Sequence, residues 1–317
     1  MGQKNGMRPV RAALRVAHNL VNILVLAIVL LLFAIGGFAL WDSGRIYQEA
    51  SSERYEMYKP ASQEGTLSFA QLQQINPDVF GWLTVHGTNI DYPLVQGPDN
   101  IKYVNTSAKG DYSLSGALFL DSNNQRDLTD FANIIHGHNM DKNVMFGEIG
   151  LFADKTWFSE RRYGSLLLNG REYGLEFFAF LQADAYDDTV FRAGTFERTQ
   201  REAYLELLRG QALQSRAVTV TTDDRIVLLS TCTPNLTNRR DILVAKITDE
   251  TFVNAFTKDI GSSPVPDALA GTGGLVLLWV ALLFLGVAAV IVLVVVRRRK
   301  DKKTTEKKTT ESGEENE

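Results

Sequence analysis

The 317-residue chain has one cysteine, Cys232, and four histidines. A single cysteine excludes any disulfide within the chain and any zinc site built from several thiolates. The sequence has no Gly-Lys phosphate-binding loop, no internal repeat and no heptad pattern. Nucleotide-cradling enzymes, solenoids and coiled coils are therefore set aside. The stretch from 42 to 272 also lacks a basic run. The chain carries −4 overall, residues 1–15 carry +4 and residues 297–317 carry +2, so the middle holds −10. An acidic body argues against nucleic acid or an anionic surface as its partner.

Two long apolar runs are present. Ile23 to Trp41 and Gly273 to Val296 contain no charged residue, and each is long enough to cross about 30 Å of hydrocarbon as a helix. Two crossings put both ends on one side, and Lys4, Arg8, Arg11 and Arg15 together with Arg297, Arg298, Arg299 and Lys300 assign that side to the cytoplasm. The first run continues through Phe38, Leu40 and Trp41, unlike a cleaved signal peptide that ends at small residues. The expected layout is a basic cytoplasmic N-terminus (1–15), a transmembrane helix (16–41), an external stalk (42–65), a catalytic domain (66–254), an external tether (255–272), a second transmembrane helix (273–296) and a disordered cytoplasmic tail (297–317). The chain is thus expected to be a two-pass protein of the cell membrane with its folded domain outside.

Between Thr66 and Asn254 the pattern is mostly strand. Ser68 is placed to cap a short helix that Asn76-Pro77 stops. Trp82–Val85 and Ile90–Val95 flank a His86-Gly87-Thr88-Asn89 turn, with His86 expected to be exposed. Ala117–Leu120 and Phe131–Ile135 read as short strands, and Asn169-Gly170 between Leu166–Leu168 and Tyr173–Leu181 suits a type I′ hairpin. A helix capped by Thr199-Gln200-Arg201-Glu202 runs to Gly210, and Val218–Val220, Ile226–Ser230 and Ile242–Ile247 complete the strands. About eight short strands without βαβ alternation predict a mainly β barrel or sandwich.

Cys232 ends the run Arg225 to Thr231, and Arg240 opens the next strand. If these strands pair antiparallel, Cys232 and Arg240 meet at one edge of the sheet. His138, in His136-Gly137-His138-Asn139-Met140, also follows a strand end. A thiolate that attacks a carbonyl, an imidazole that protonates the leaving amine and a guanidinium that steadies the oxyanion form one chemical set. Other readings of the same residues are a buried inert thiol, solvated histidines, half of a metal site made by His136 and His138, and an exposed Arg239-Arg240 pair.

These residues resemble a known family. Leu229-Ser230-Thr231-Cys232 followed by Arg240 is similar to the nucleophile signature of sortases, and Gly137-His138 is similar to their histidine segment. The resemblance covers roughly 66–250 and points to class B. It includes Gly81-Trp82-Leu83, Ile90-Asp91-Tyr92-Pro93-Leu94-Val95-Gln96-Gly97, Ser115-Gly116-Ala117-Leu118-Phe119-Leu120-Asp121, Met145-Phe146 and a helix near 196–209. It implies a closed eight-stranded β-barrel with short helices and a cysteine transpeptidase that needs no cofactor and no metal. In that reading Cys232 is the nucleophile, His138 the acid/base and Arg240 the oxyanion or substrate contact, while Ser230 and Thr231 line the cleft. Its partners would be surface proteins with a C-terminal LPxTG- or NPxTN-type sorting signal, and an accepting amine on a peptidoglycan precursor or a pilin.

The sequence departs from the class B pattern in places, among them a second membrane span, which is more usual in pilus-building class C enzymes. His136 stands where an aromatic residue is often found, Leu228 stands where the signature often has Thr, and the 42–65 segment lacks the Asp-Pro-aromatic lid of pilus-building class C enzymes. Val190 and Phe191 are open to either a substrate-binding or a structural role. Three rival readings are a membrane-tethered cysteine hydrolase, an inactive surface-binding barrel, and zinc held by His136, His138 and Cys232.

Overall fold

The structure, a computed structural model, describes residues 7–60, 69–194, 196–233 and 238–256. The second apolar run (273–296), the polar tail, most of the tether and the Ser68 cap lie outside the described residues. The chain divides after Asp42, and the barrel unit runs from Ser43 to Ile260.

The first helix, α1 (Met7–Ala50), has 44 residues and is about 66 Å long at 1.5 Å per residue. Its apolar stretch reaches a mean hydropathy of 3.0, and among the described residues it is the one helix long and apolar enough to cross a membrane. Ile23, Phe33, Phe38 and Leu40 are 63%, 64%, 64% and 70% exposed. An apolar surface of that extent calls for a non-aqueous neighbour.

The remaining elements are α2 (Phe69–Ile75), β1 (Val79–Val85), β2 (Asp91–Val95), β3 (Leu118–Leu120), β4 (Ala132–His136), α3 (Lys155–Glu160), β5 (Tyr163–Leu168), β6 (Arg171–Asp184), α4 (Arg198–Gly210), β7 (Ala212–Ser215), β8 (Arg225–Cys232) and β9 (Arg239–Thr248). Strand order is β5-β1-β2-β3-β4-β8-β9-β6-β7, and β5 also pairs with β6. The β5–β6 pairing closes a ring of eight strands and leaves β7 outside on β6. Closure removes the free edges that an open sheet would expose. Two neighbouring pairs, β2–β3 and β4–β8, are parallel; the other pairs are antiparallel.

One hydrophobic cluster draws residues from all eight ring strands, among them Leu83, Leu94, Ile135, Phe177, Leu229 and Leu243, and so fills the barrel. A second draws on β4, β6, β8 and β9 with Tyr204, Leu205 and Leu208 of α4, so it seals α4 onto the outer face of those strands. Val190 is fully buried in this outer cluster, and the Tyr204 hydroxyl donates to its carbonyl at 2.6 Å. Its role there is structural.

Several local expectations need correction. Val218–Val220 forms no strand: the Val218 amide bonds back to Arg216 O at 3.0 Å, so no ladder starts there, and the paired segment is Ala212–Ser215. The cap of α4 is Glu197, with Gln200 as the reciprocal partner, two residues earlier than the Thr199 spelling suggests. His86 is 4% exposed, not free in its turn; it lies 3.0 Å from Ser165 Oγ, and burial pushes its imidazole pKa down. The Asn169-Gly170 hairpin has φ of 50° and 77°, as a type I′ turn requires.

The segment expected as stalk contributes to the core. A 3-10 turn, Ser52–Tyr58, buries Tyr55 and Tyr58 in the barrel cluster. At the other end of the barrel unit the Phe252 ring stacks on Tyr163 at 3.9 Å.

Candidate active site

Strand β8 lies between β4 and β9, and its two registers define the site. On the antiparallel side Cys232 pairs with Arg240, Thr231 with Asp241 and Ser230 with Ile242. On the parallel side His136 pairs with Ser230. Beyond that pair, the Gly137 amide donates to Ser230 O at 3.1 Å and the Asn139 side-chain amide donates to Cys232 O at 2.8 Å. His138, between these two anchors, is therefore level with Cys232. His138, two residues past the end of β4, thus falls into one row with Cys232 on β8 and Arg240 on β9.

Alternation along a strand assigns the faces. Leu228, Val244 and Ile242 belong to the outer cluster and Leu229 and Leu243 to the inner one. Ser230, Cys232 and Arg240 therefore share the outer face, while Thr231, Thr233, Arg239 and Asp241 turn inward. Thr231 thus does not line a cleft with Cys232 through its side chain; its buried hydroxyl has no partner among the described residues. The same parity separates the two arginines. Arg240 stands across from the thiol, whereas Arg239 reaches Gln182 Oε1 at 3.4 Å on the other face. Among the described residues Arg240 makes no ion pair; its closest polar contact is Arg239 O at 3.5 Å. Cys232 is exposed.

The imidazole of His138 is held by the backbone. Its Nε2 lies 2.8 Å from Val104 O. A carbonyl only accepts, so Nε2 carries a hydrogen and Nδ1 is left to exchange a proton. Gly137 precedes His138 because a Cβ there would meet Leu118 Cδ2 at 2.4 Å and Phe146 Cδ2 at 2.7 Å.

Two carboxylates flank the row. Asp121 Oδ2 lies 3.2 Å from His136 Nε2. Burial opposes its ionisation, yet the hydrogen bonds from His136 and the Asn123 backbone outweigh burial and hold its carboxyl below the usual range. The His136 ring also packs on Phe119, with centroids 5.2 Å apart. Asp241, 1% exposed, accepts from Gln182 at 2.8 Å and from Thr233 at 2.9 Å. Burial pushes its carboxyl up despite both bonds. Among the described residues no group of three or more His, Cys, Asp or Glu is arranged to hold a metal ion.

The row and barrel can be compared with known proteins. No family model matches the chain. Solved structures do: sortase B from the type II pilus of Streptococcus pneumoniae is 44% identical, covers 58% of this chain and 100% of that one, and superposes with a TM-score of 0.51. The chain belongs to the sortase family, class B. A Streptococcus pyogenes class B sortase involved in pilus biogenesis is 37% identical over 57% of this chain and 98% of its own, with a TM-score of 0.53. Sortase B of Listeria monocytogenes is 34% identical over 164 residues, 51% of this chain and 65% of that protein's length, just under two thirds of it. Sortases are cysteine transpeptidases, and this one has a single cysteine to offer.

Sequence reasoning missed the residues that hold this row in place. Val104 acts through its carbonyl, which leaves no mark in a sequence. Asn139 adjoins His138, but its bond to Cys232 O appears only once β4 and β8 are known to be parallel neighbours. Asp241 faces away from the chemistry and reads as one more charge beside two arginines.

Proposed function

We propose that the chain is a membrane-anchored sortase in which Cys232, His138 and Arg240 carry out acyl transfer from a sorting signal to an amine. The observation that supports this best is the shared row: an exposed thiol with a guanidinium in register on one side, in no ion pair among the described residues, and an imidazole level with it on the other. The Cys232 thiolate attacks the Thr carbonyl carbon of an LPxTG- or NPxTN-type segment and forms a C–S bond. Negative charge gathers on the carbonyl oxygen, which Arg240 stabilises. As the C–N bond breaks, His138 gives its Nδ1 proton to the leaving amine while Nε2 stays bonded to Val104 O. The thioester remains on Cys232. An incoming amine then attacks it, its proton returns to Nδ1, and the thiolate leaves. Ser230 borders the row on the same face and contacts the bound peptide.

The acceptor is an amine of a peptidoglycan precursor or a pilin lysine. The two streptococcal relatives named for pili support the second choice. Residues 16–41 anchor the protein, the barrel lies outside the cell, and a second crossing at 273–296 returns the tail to the cytoplasm. The exposed apolar length of α1 supports the first crossing.

The test is mass spectrometry of residues 42–272 mixed with LPxTG- and NPxTN-type peptides, with and without a Gly- or Lys-bearing amine. A thioester on Cys232 that passes to the amine is expected. Cys232→Ala should abolish it, and His138→Ala should lower turnover by orders of magnitude because the groups act as a unit. Cleavage without transfer to any amine would instead make the chain a hydrolase. No adduct, together with an unreactive thiol, would leave a binding module.

A further inference from the structure

The loop after His138 has an unusual backbone and an unusual anchor. Lys142, Asn143 and Met145 all lie in the left-handed region, with φ of 60°, 58° and 53°, a conformation that non-glycine residues adopt at some cost. Such a loop keeps its shape only where its surroundings fix it. Met145 is 2% exposed and forms an isolated bridge with Asn139, whose side chain holds Cys232 O. The next amide, of Phe146, donates to His138 O at 2.9 Å. The Met145 amide itself points at Tyr92.

Tyr92, on β2, is 2% exposed. Its hydroxyl lies 2.9 Å from Met145 N and 2.9 Å from Ala50 O. An amide only donates and a carbonyl only accepts, so the hydroxyl accepts from the loop and donates to the last residue of α1. Burial pushes the phenol pKa up, so the bridging proton is kept through the working pH range. Two further contacts join the same parts: the Lys142 ammonium sits 4.2 Å from the centroid of Tyr47, in the last turns of α1, and Tyr55 meets the Tyr92 ring edge-on at 6.5 Å. Residues 43–58 all belong to the barrel unit.

We propose that Tyr92 is a positioning residue for transpeptidation: its hydroxyl fastens the loop that follows His138 to the end of the N-terminal helix, so the segment joining membrane anchor to barrel is part of the working enzyme. This rests on the sortase reading of His138 and Cys232. A strained loop released from its tie lets His138 drift from the row without changing any group that touches substrate. Turnover then falls while substrate binding is unaffected.

Tyr92→Phe in the full-length protein in detergent removes one oxygen and retains the ring. Peptide-to-amine transfer is expected to show kcat lowered by about tenfold or more, the scale on which small misplacements act, with KM within about twofold. The pH profile of Cys232 alkylation by iodoacetamide, which needs no peptide, should shift as well. That second readout separates the two claims: wild-type protein without transfer defeats the sortase reading, whereas an unshifted alkylation profile in Tyr92→Phe defeats this one. A kcat within about twofold of wild type also overturns it. If Tyr92→Phe does not fold, the exposed Lys142→Ala decides, with a loss of about threefold in kcat expected and wild-type kcat refuting the tie.

Discussion

Gly137 is the residue at which packing and chemistry meet most directly. A Cβ at this position would lie 2.4 Å from Leu118 Cδ2 and 2.7 Å from Phe146 Cδ2. Carbon atoms pack at about 3.5–4.0 Å, so Gly137→Ala overlaps both neighbours by roughly 1 Å. Neither can retreat easily, because Leu118 is 1% and Phe146 0% exposed, inside the filled barrel. The strain passes to the end of β4, where the Gly137 amide holds Ser230 O and the Phe146 amide holds His138 O. Overpacking of this kind costs about 1–3 kcal/mol, which is several degrees in Tm for a domain of this size. A shift of about 1 Å in His138 costs roughly a hundredfold in turnover. The assay pairs thermal unfolding with the transfer rate measured well below Tm. Gly210→Ala is the control, since nothing lies within 4 Å of its Cβ position. A folded Gly137→Ala protein with wild-type kcat would refute the argument that this glycine exists to seat the histidine.

Two further outcomes follow from strand parity and burial. Arg240→Ala should lower kcat by about a hundredfold or more, as loss of an oxyanion donor does, whereas Arg239→Ala should stay within about threefold because its side chain faces Gln182; the reverse ranking in a transfer assay would refute the assignment of faces. Asp241 has its folded-state pKa raised, chiefly by burial, so the folded protein binds that proton more tightly than the unfolded chain does. Its contribution to stability is fully present below the unfolded pKa and is lost as pH rises through the folded one. Asp241→Asn, which keeps an acceptor for Gln182 and Thr233, should therefore gain in Tm relative to wild type between pH 4 and pH 7.5, and a relative gain that shrinks over that range would contradict the burial argument.

Much of the barrel could be read in the sequence because its strands are short, apolar and punctuated by turns. Asn169-Gly170 named its own hairpin, and the β8–β9 pairing followed from two adjacent strands with a short connection. What stayed hidden depended on partners distant in the chain. His86 looks like a polar turn residue until Ser165 of β5 is seen beside it. Val218–Val220 has the composition of a strand, and only the sealing of α4 onto the outer face explains why it buries without pairing. The segment from 42 to 65 is polar enough to pass for a tether, yet Tyr55 and Tyr58 belong to the core. Sparse aromatic residues in a polar run signalled this, but no periodicity marked them as core residues.

The site divides along the same line. An antiparallel neighbour across a short loop is local information, so Cys232 and Arg240 can be brought together on paper. A parallel neighbour must come from a distant part of the chain, since the connection has to run back the full length of the strand. His138 could therefore be proposed only from chemistry and resemblance, and the structure adds the parallel β4–β8 register that sets it level with Cys232. The period of two then acts with equal force on both sides of β8. It puts Ser230 with the thiol and Thr231 away from it, and Arg240 with the thiol and Arg239 away from it. A one-residue slip of β9 would exchange the arginines and bring Asp241 to the outer face, so the inward bonds of Asp241 to Gln182 and Thr233 hold the register on which the row depends.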